Sequence, residues 1–101
     1  MKVTIQSVNF TAAEQLREFI QLKLDKLDHY YDHVTDSQVY LKVEKDNEHG
    51  NKHIEIKVNV PGHILIATED AGTFEAATDL CMDKLKHQLI KYKEKTLGRT
   101  H

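Results

Sequence analysis

The chain has 101 residues, a formal net charge of −2, 40% hydrophobic and 30% charged residues, enough for one domain with a single core and too little for two. No apolar run approaches the roughly 20 residues a bilayer span needs, and "MKVTIQSVNF" lacks the apolar stretch and small-residue cleavage site of a signal peptide. The lone cysteine, Cys81, forms neither an internal disulfide nor a thiolate metal site by itself, so the expected compartment is the cytoplasm.

In "KVTIQS" Val3 and Ile5 alternate with Thr4 and Gln6, which predicts a half-buried strand. "TAAE" follows, with Thr11 placed to cap a helix and Glu14 three residues on to complete a capping box. Leu16, Ile20, Leu24, Leu27 and Tyr31 then recur every three or four residues, predicting a helix of about five turns that ends near Tyr31. "SQVYLKVEK" returns to alternation, with Val39, Leu41 and Val43 on one face and Tyr40, Lys42 and Glu44 on the other. After the polar turn "DNEHGN", "KHIEIKVNV" sets Ile54, Ile56, Val58 and Val60 inward, and Pro61-Gly62 turns the chain into "HILIAT". From Thr73 the helical period resumes and persists to about Lys95, with Gly98 as the stop.

The order β-α-β-β-β-α predicts an α+β fold. The first two strands require a crossover and pair in parallel, while the next two form an antiparallel meander. Each helix has one apolar stripe and each strand one apolar face, so both helices are expected on one face of a four-stranded mixed sheet, leaving the other face polar and open. The order resembles that of a double-stranded RNA-binding domain carrying an extra leading strand. "GTFEAATD", however, places acids where such domains carry lysines.

The small net charge conceals an asymmetry. Residues 84–101 carry six basic side chains against Glu94 alone, whereas residues 1–83 carry 8 basic and 15 acidic ones, a footprint concentrated at one end. On a helical projection of about 100° per residue, Phe74, Thr78, Cys81, Met82, Leu85, Leu89 and Tyr92 form the core stripe. Lys84, Gln88, Lys91 and Lys95 cluster on one shoulder with His87 beside them, Lys86 and Lys93 lie on the other, and Asp79, Asp83 and Glu94 take the back. The ridge fits a polyanion, and it equally fits lysines that bury their stems and hold their charges in water. No acidic residue stands four positions away on the Lys84 shoulder to relieve it. On the first helix Lys23 projects at the border of the apolar arc with Lys26 and Tyr30 on the same edge, and would extend one basic groove if that edge adjoins the ridge.

Other chemistry finds less support. His29 and His33 have i, i+4 spacing without a third ligand at a recognisable distance, and His49, His53 and His63 fall at turns or on the outward sheet face, so no metal is expected. Cys81 lies in the core stripe, where a thiolate is disfavoured. No glycine-rich phosphate loop and no nucleophile, base and acid constellation is present.

Three stretches, "LREFIQLKLDKLDHYYDHV", "VYLKVEK" and "TFEAATDLCMDKLKHQLIKYKEK", resemble the short bacterial ribosome hibernation-promoting factors and the related ribosome-associated inhibitors, over about Val3 to Lys95. One departure is Gly72, Thr73, Phe74 and Thr78, where that family usually has Asp-Met-Tyr and a later isoleucine. The resemblance implies one ribosome-binding domain over residues 1–101, with its core at about 3–95 and a flexible tail at 96–101. It implies a non-enzymatic role: binding rRNA of the small ribosomal subunit in the mRNA and tRNA channel, occluding the A and P sites, and silencing translation under stress or in stationary phase. The matching rRNA-binding positions are Lys23, Lys26, Lys84, Lys91, Lys93 and Lys95. His87 stands where relatives can carry arginine, and Gln88 joins them through the ridge. No cofactor, small-molecule substrate or membrane is implied. The expected partner is the small subunit, with a helper factor for ribosome dimerisation as a candidate second. The sequence as written carries neither the extra domain with which long members pair ribosomes nor the acidic tail of some inhibitors, so the short promoting type is expected. The rival expectations are a protein-interaction module that uses Tyr40, Lys42, Glu55 and Lys57 on the open sheet face, and a general binder of structured RNA.

Overall fold

Alternating apolar and polar side chains make strands of Lys2–Val8 (β1), Asp36–Val43 (β2), Lys52–Val60 (β3) and His63–Ala71 (β4), and stripes at helical spacing make helices of Glu14–Asp25 (α1) and Phe74–Leu97 (α2). The computed structural model describes residues 1–44 and 50–97. His49, most of the expected "DNEHGN" turn, the Gly98 stop and residues 98–101 lie outside the described residues.

The strands form one sheet in the order β1-β2-β3-β4, with β1 parallel to β2 and the remaining pairs antiparallel. Register lines up the inward side chains across the sheet: Ile5 lies opposite Val39, Val39 opposite Ile56, and Ile56 opposite Ala67. Both helices cover this face, α2 over β3 and β4 and α1 alongside α2 and against β1. Ile20, Leu24, Leu27, Leu41, Ile54, Ile56, Leu65, Leu85 and Leu89 are fully buried between the layers. Thr78 sits in the same core with its hydroxyl donating to the Phe74 carbonyl at 2.7 Å, which satisfies a polar group where an aliphatic residue would need no partner.

Five local expectations change. The capping box does not form: α1 starts at Glu14 with extended Ala13 at its N-cap and no side-chain cap. Asn9 takes a left-handed φ of 72°, Phe10 stacks on Phe74 at 4.9 Å and Ala12 is buried, so the segment bearing Thr11 is committed to the core before the helix begins. Second, α1 ends at Asp25 and Lys26–His29 tighten into a 3₁₀ turn. That turn keeps Leu27 and Tyr31 buried. It also brings Asp25 and Asp28 together on the Met1 ammonium, each at 3.0 Å. Third, β4 runs three residues past "HILIAT". Two acids stay in the strand because each has a partner: Asp70 meets His53 Nδ1 at 2.8 Å and Glu69 pairs with Lys84. Fourth, the open face is not uniformly polar, for Ile64 and Ile66 of β4 are 50% and 46% exposed there. At the far end α2 continues to Leu97, so residues 96 and 97 belong to the helix and not to a tail.

Two glycines are required by their surroundings. Gly62 has φ +74° at the third position of the turn from Val60 to His63, directly after Pro61. Gly50 has φ +121°, and a Cβ there would stand 2.2 Å from the Ala71 carbonyl carbon.

Candidate nucleic-acid interface

The stripe of Phe74, Ala77, Thr78, Cys81, Leu85 and Leu89 turns one face of α2 onto the sheet, so the lysines bordering it are forced onto two shoulders. One shoulder faces the edge strand β4 and the other faces α1. They have different chemistry.

On the β4 side Lys84 forms an ion pair with Glu69 and its Nζ donates to the Thr68 carbonyl at 3.2 Å. The hydrogen bond to the Glu69 carboxylate is the main cause that holds the Lys84 pKa above its ordinary value. Projection of the helix alone left this shoulder without a relieving acid; the acid arrives from the neighbouring strand. Gln88 is also engaged. Its Nε2 donates to Ile66 O at 2.8 Å and its Oε1 accepts the Ile66 N–H at 3.2 Å, so the amide occupies the outward hydrogen-bonding groups of β4 as a further strand would. Lys91 and Lys95 continue the shoulder. Neither lies within ion-pair distance of a carboxylate among the described residues. They border a groove with His63, Leu65 and Tyr92.

On the α1 side Lys23, Lys26, Tyr30, Asp79, Asp83 and Lys86 surround a second groove. The basic edge of α1 thus meets the Lys86 shoulder and not the Lys84 ridge, so the adjacency on which one continuous groove depended is not met. Lys23 Nζ pairs with Asp79 at 3.1 Å and lies 5.2 Å from the Phe19 ring centre. Asp79 therefore faces α1, not the back of α2. Lys86 sits over Tyr30 at 5.1 Å, and Lys93 Nζ donates to the Tyr30 carbonyl at 3.0 Å. Lys26 is exposed. His87 projects from the solvent side, its Nδ1 donating to Asp83 O at 2.9 Å.

The eight residues singled out from the sequence therefore divide. Lys26, Lys91, Lys93 and Lys95 present ammonium groups that no carboxylate neutralises among the described residues, Lys23 and Lys84 are paired, Gln88 is bonded to backbone, and His87 is peripheral. Sequence reasoning passed over His63 and Tyr92. Nothing in the spacing of residues 63 and 92 links them; only the fold of β4 under α2 does. Cys81 is fully buried, and desolvation, reinforced by the Glu69 charge, pushes its thiol up to about 12, which removes it from nucleophilic chemistry. Among the described residues no group of three or more metal-ligating side chains converges, and no helix is long and apolar enough to cross a membrane.

Comparison with known proteins matches the same stretch of chain. The family described as Sigma 54 modulation protein / S30EA ribosomal protein matches residues 3–97. The chain is similar to the ribosome hibernation promotion factor of Deinococcus radiodurans, 40% identical over 84% of this chain and 45% of that protein. It is also similar to the ribosome hibernation promoting factors of Azotobacter vinelandii, at 34% over 98% of this chain and 89% of that one, and of Escherichia coli K12, at 35% over 94% and 96%. The chain thus spans less than half of the Deinococcus protein and nearly all of the shorter relatives. Among solved structures, a ribosomal subunit interface protein from Coxiella burnetii superposes with a TM-score of 0.79 at 25% identity, covering 92% of this chain and 98% of that one. The N-terminal domain of Thermus thermophilus Protein Y superposes with 0.80 at 25% identity, covering 91% and 99%. Shared architecture and a match across nearly every described element lead to one conclusion: the chain belongs to the Sigma 54 modulation protein / S30EA ribosomal protein family.

Proposed function

We propose that this protein is a ribosome hibernation factor that binds rRNA of the small ribosomal subunit in the mRNA and tRNA channel, occludes the A and P sites and silences translation without catalysing a reaction. The observation that carries the reading is the set of lysines on both flanks of α2 and on the adjoining edge of α1 and its 3₁₀ turn, of which Lys26, Lys91, Lys93 and Lys95 have no carboxylate partner among the described residues. Phosphates are the polyanion such a surface fits, since each ammonium group that meets one releases a counterion. The names of the similar proteins, ribosome hibernation promoting factor and ribosomal subunit interface protein, support the ribosome as partner. Work in the cytoplasm follows from that partner. Pairing of silenced ribosomes with a separate helper factor completes the proposed role.

The test is a triple substitution, Lys26→Glu, Lys91→Glu and Lys95→Glu. Lys84 is left out because a glutamate there would face Glu69 and confound binding with folding. The variant should lose cosedimentation with small subunits while its thermal midpoint changes little, as exposed positions typically shift stability by about 0.5 kcal/mol or less. Retained cosedimentation defeats the proposal. A second reading, docking of a protein on the open sheet face, is favoured by the exposed Ile64 and Ile66. It requires Ile66→Lys, and not the lysine variant, to break the complex.

A further inference from the structure

The groove between β4 and the C-terminal half of α2 is built in a way that phosphate binding alone does not require. Tyr92 is fixed there: its hydroxyl donates to Pro61 O at 2.6 Å, and its ring meets Tyr31 edge-on at 5.5 Å and 75°. His63 lies parallel to Tyr92, 8° between planes and 6.1 Å between centres, within the ~4.5–7 Å over which aromatic rings attract. Unlike Tyr92, His63 is exposed, and its ring makes no hydrogen bond among the described residues. Leu65 is buried beneath them, and Lys91 and Lys95, one helical turn apart, border the same groove. A flat ring free to adjust beside one that is fixed, with cations along one wall, is the arrangement that holds a nucleobase by its face and the flanking phosphates by charge.

We infer that this groove takes one unpaired nucleotide of the RNA, its base stacked on His63 beside Tyr92 and its flanking phosphates on Lys91 and Lys95. Duplex RNA offers no free base face, so the occupant is a looped, bulged or single-stranded residue. This rests on the RNA-binding reading above and deepens it, since it names the class of nucleotide and assigns a contact to a side chain outside the lysine set.

Two variants, His63→Ala and His63→Phe, are compared with the wild-type chain for binding to purified small ribosomal subunits across a salt series. Loss of one base stack weakens the alanine variant about fivefold or more. The phenylalanine variant, which keeps a flat ring and discards the ring nitrogens, stays within about twofold of wild type. Neither changes the slope of affinity against salt, because stacking releases no counterion. Short-wavelength ultraviolet irradiation of the wild-type complex should join an unpaired nucleotide to a peptide containing His63 or Tyr92. Unchanged binding by His63→Ala overturns the stack while leaving the ribosome reading intact, provided that the triple lysine variant has lost binding. Equal losses in both histidine variants indicate a polar contact and overturn the stack as well, as does crosslinking of the groove to a ribosomal protein or a second copy of this chain. Binding by the triple lysine variant brings down the reading beneath it.

Discussion

Lys84 and Lys91 occupy the same shoulder of one helix, seven residues apart, yet Glu69 neutralises the first and nothing neutralises the second among the described residues. That difference is not written in the helix, because the acid comes from β4 and meets Lys84 only after the strand has docked. Lys23 teaches the same lesson through Asp79, which a projection of α2 alone sends to the solvent side. Single-residue geometry also sets one pH response. The Met1 ammonium bonds to Asp25 and Asp28, and those two hydrogen bonds are the leading causes that raise its pKa above 8.0. A basic group whose folded value is raised contributes stability that is complete below its unfolded value and disappears as pH climbs through the folded one. Thermal midpoints should therefore decline as pH rises above about 8. Chain acetylated at the α-amine should start lower at neutral pH and lack that part of the decline. Superimposable profiles for the two forms would exclude the ion pair as a source of stability.

At the level of elements, β3 and the apolar stripes of both helices were legible in advance because period and burial coincide: Leu16, Ile20, Leu24, Leu27 and Tyr31 are all buried. Element ends were less legible. Thr11 and Glu14 have capping-box spacing, but burial of Ala12 and the Phe10–Phe74 stack outweigh a contribution of about 1 kcal/mol from a cap. Helix α2 does more than cover the sheet, since Gln88 fills the hydrogen-bonding positions of Ile66 at the sheet edge. Gln88→Ala should cost about 1 kcal/mol, a fall of about 4–8 °C in midpoint for a domain of this size. It should also produce concentration-dependent self-association in sedimentation velocity. An alanine variant that remains monomeric, keeps its midpoint and binds subunits less tightly would return Gln88 to the RNA surface.

For the whole molecule, a chain of net charge −2 concentrates its cations on the helical layer, and five lysines of that layer, Lys26, Lys86, Lys91, Lys93 and Lys95, have no carboxylate partner among the described residues. Affinity for small subunits should fall with salt on a log–log slope of about −3 to −5 if each meets a phosphate. A slope near zero would mean that protein contacts dominate. Strand order and helix placement were legible from the alternation of residues 3–6, 37–45 and 52–68, whereas the groove at His63 and Tyr92 required the tertiary fold. The clasp of Gln88 on Ile66 has a further consequence for assembly. Sheets lengthen into fibres when one copy's last strand accepts the next copy's first and the rotation between copies closes no ring. With the Ile66 groups of β4 taken by Gln88 and the Thr68 carbonyl by Lys84, β1 is the less obstructed edge, and two β1 strands meeting across a twofold axis would leave each other nothing further to recruit. Strand-by-strand growth is thereby opposed at the β4 end of the sheet.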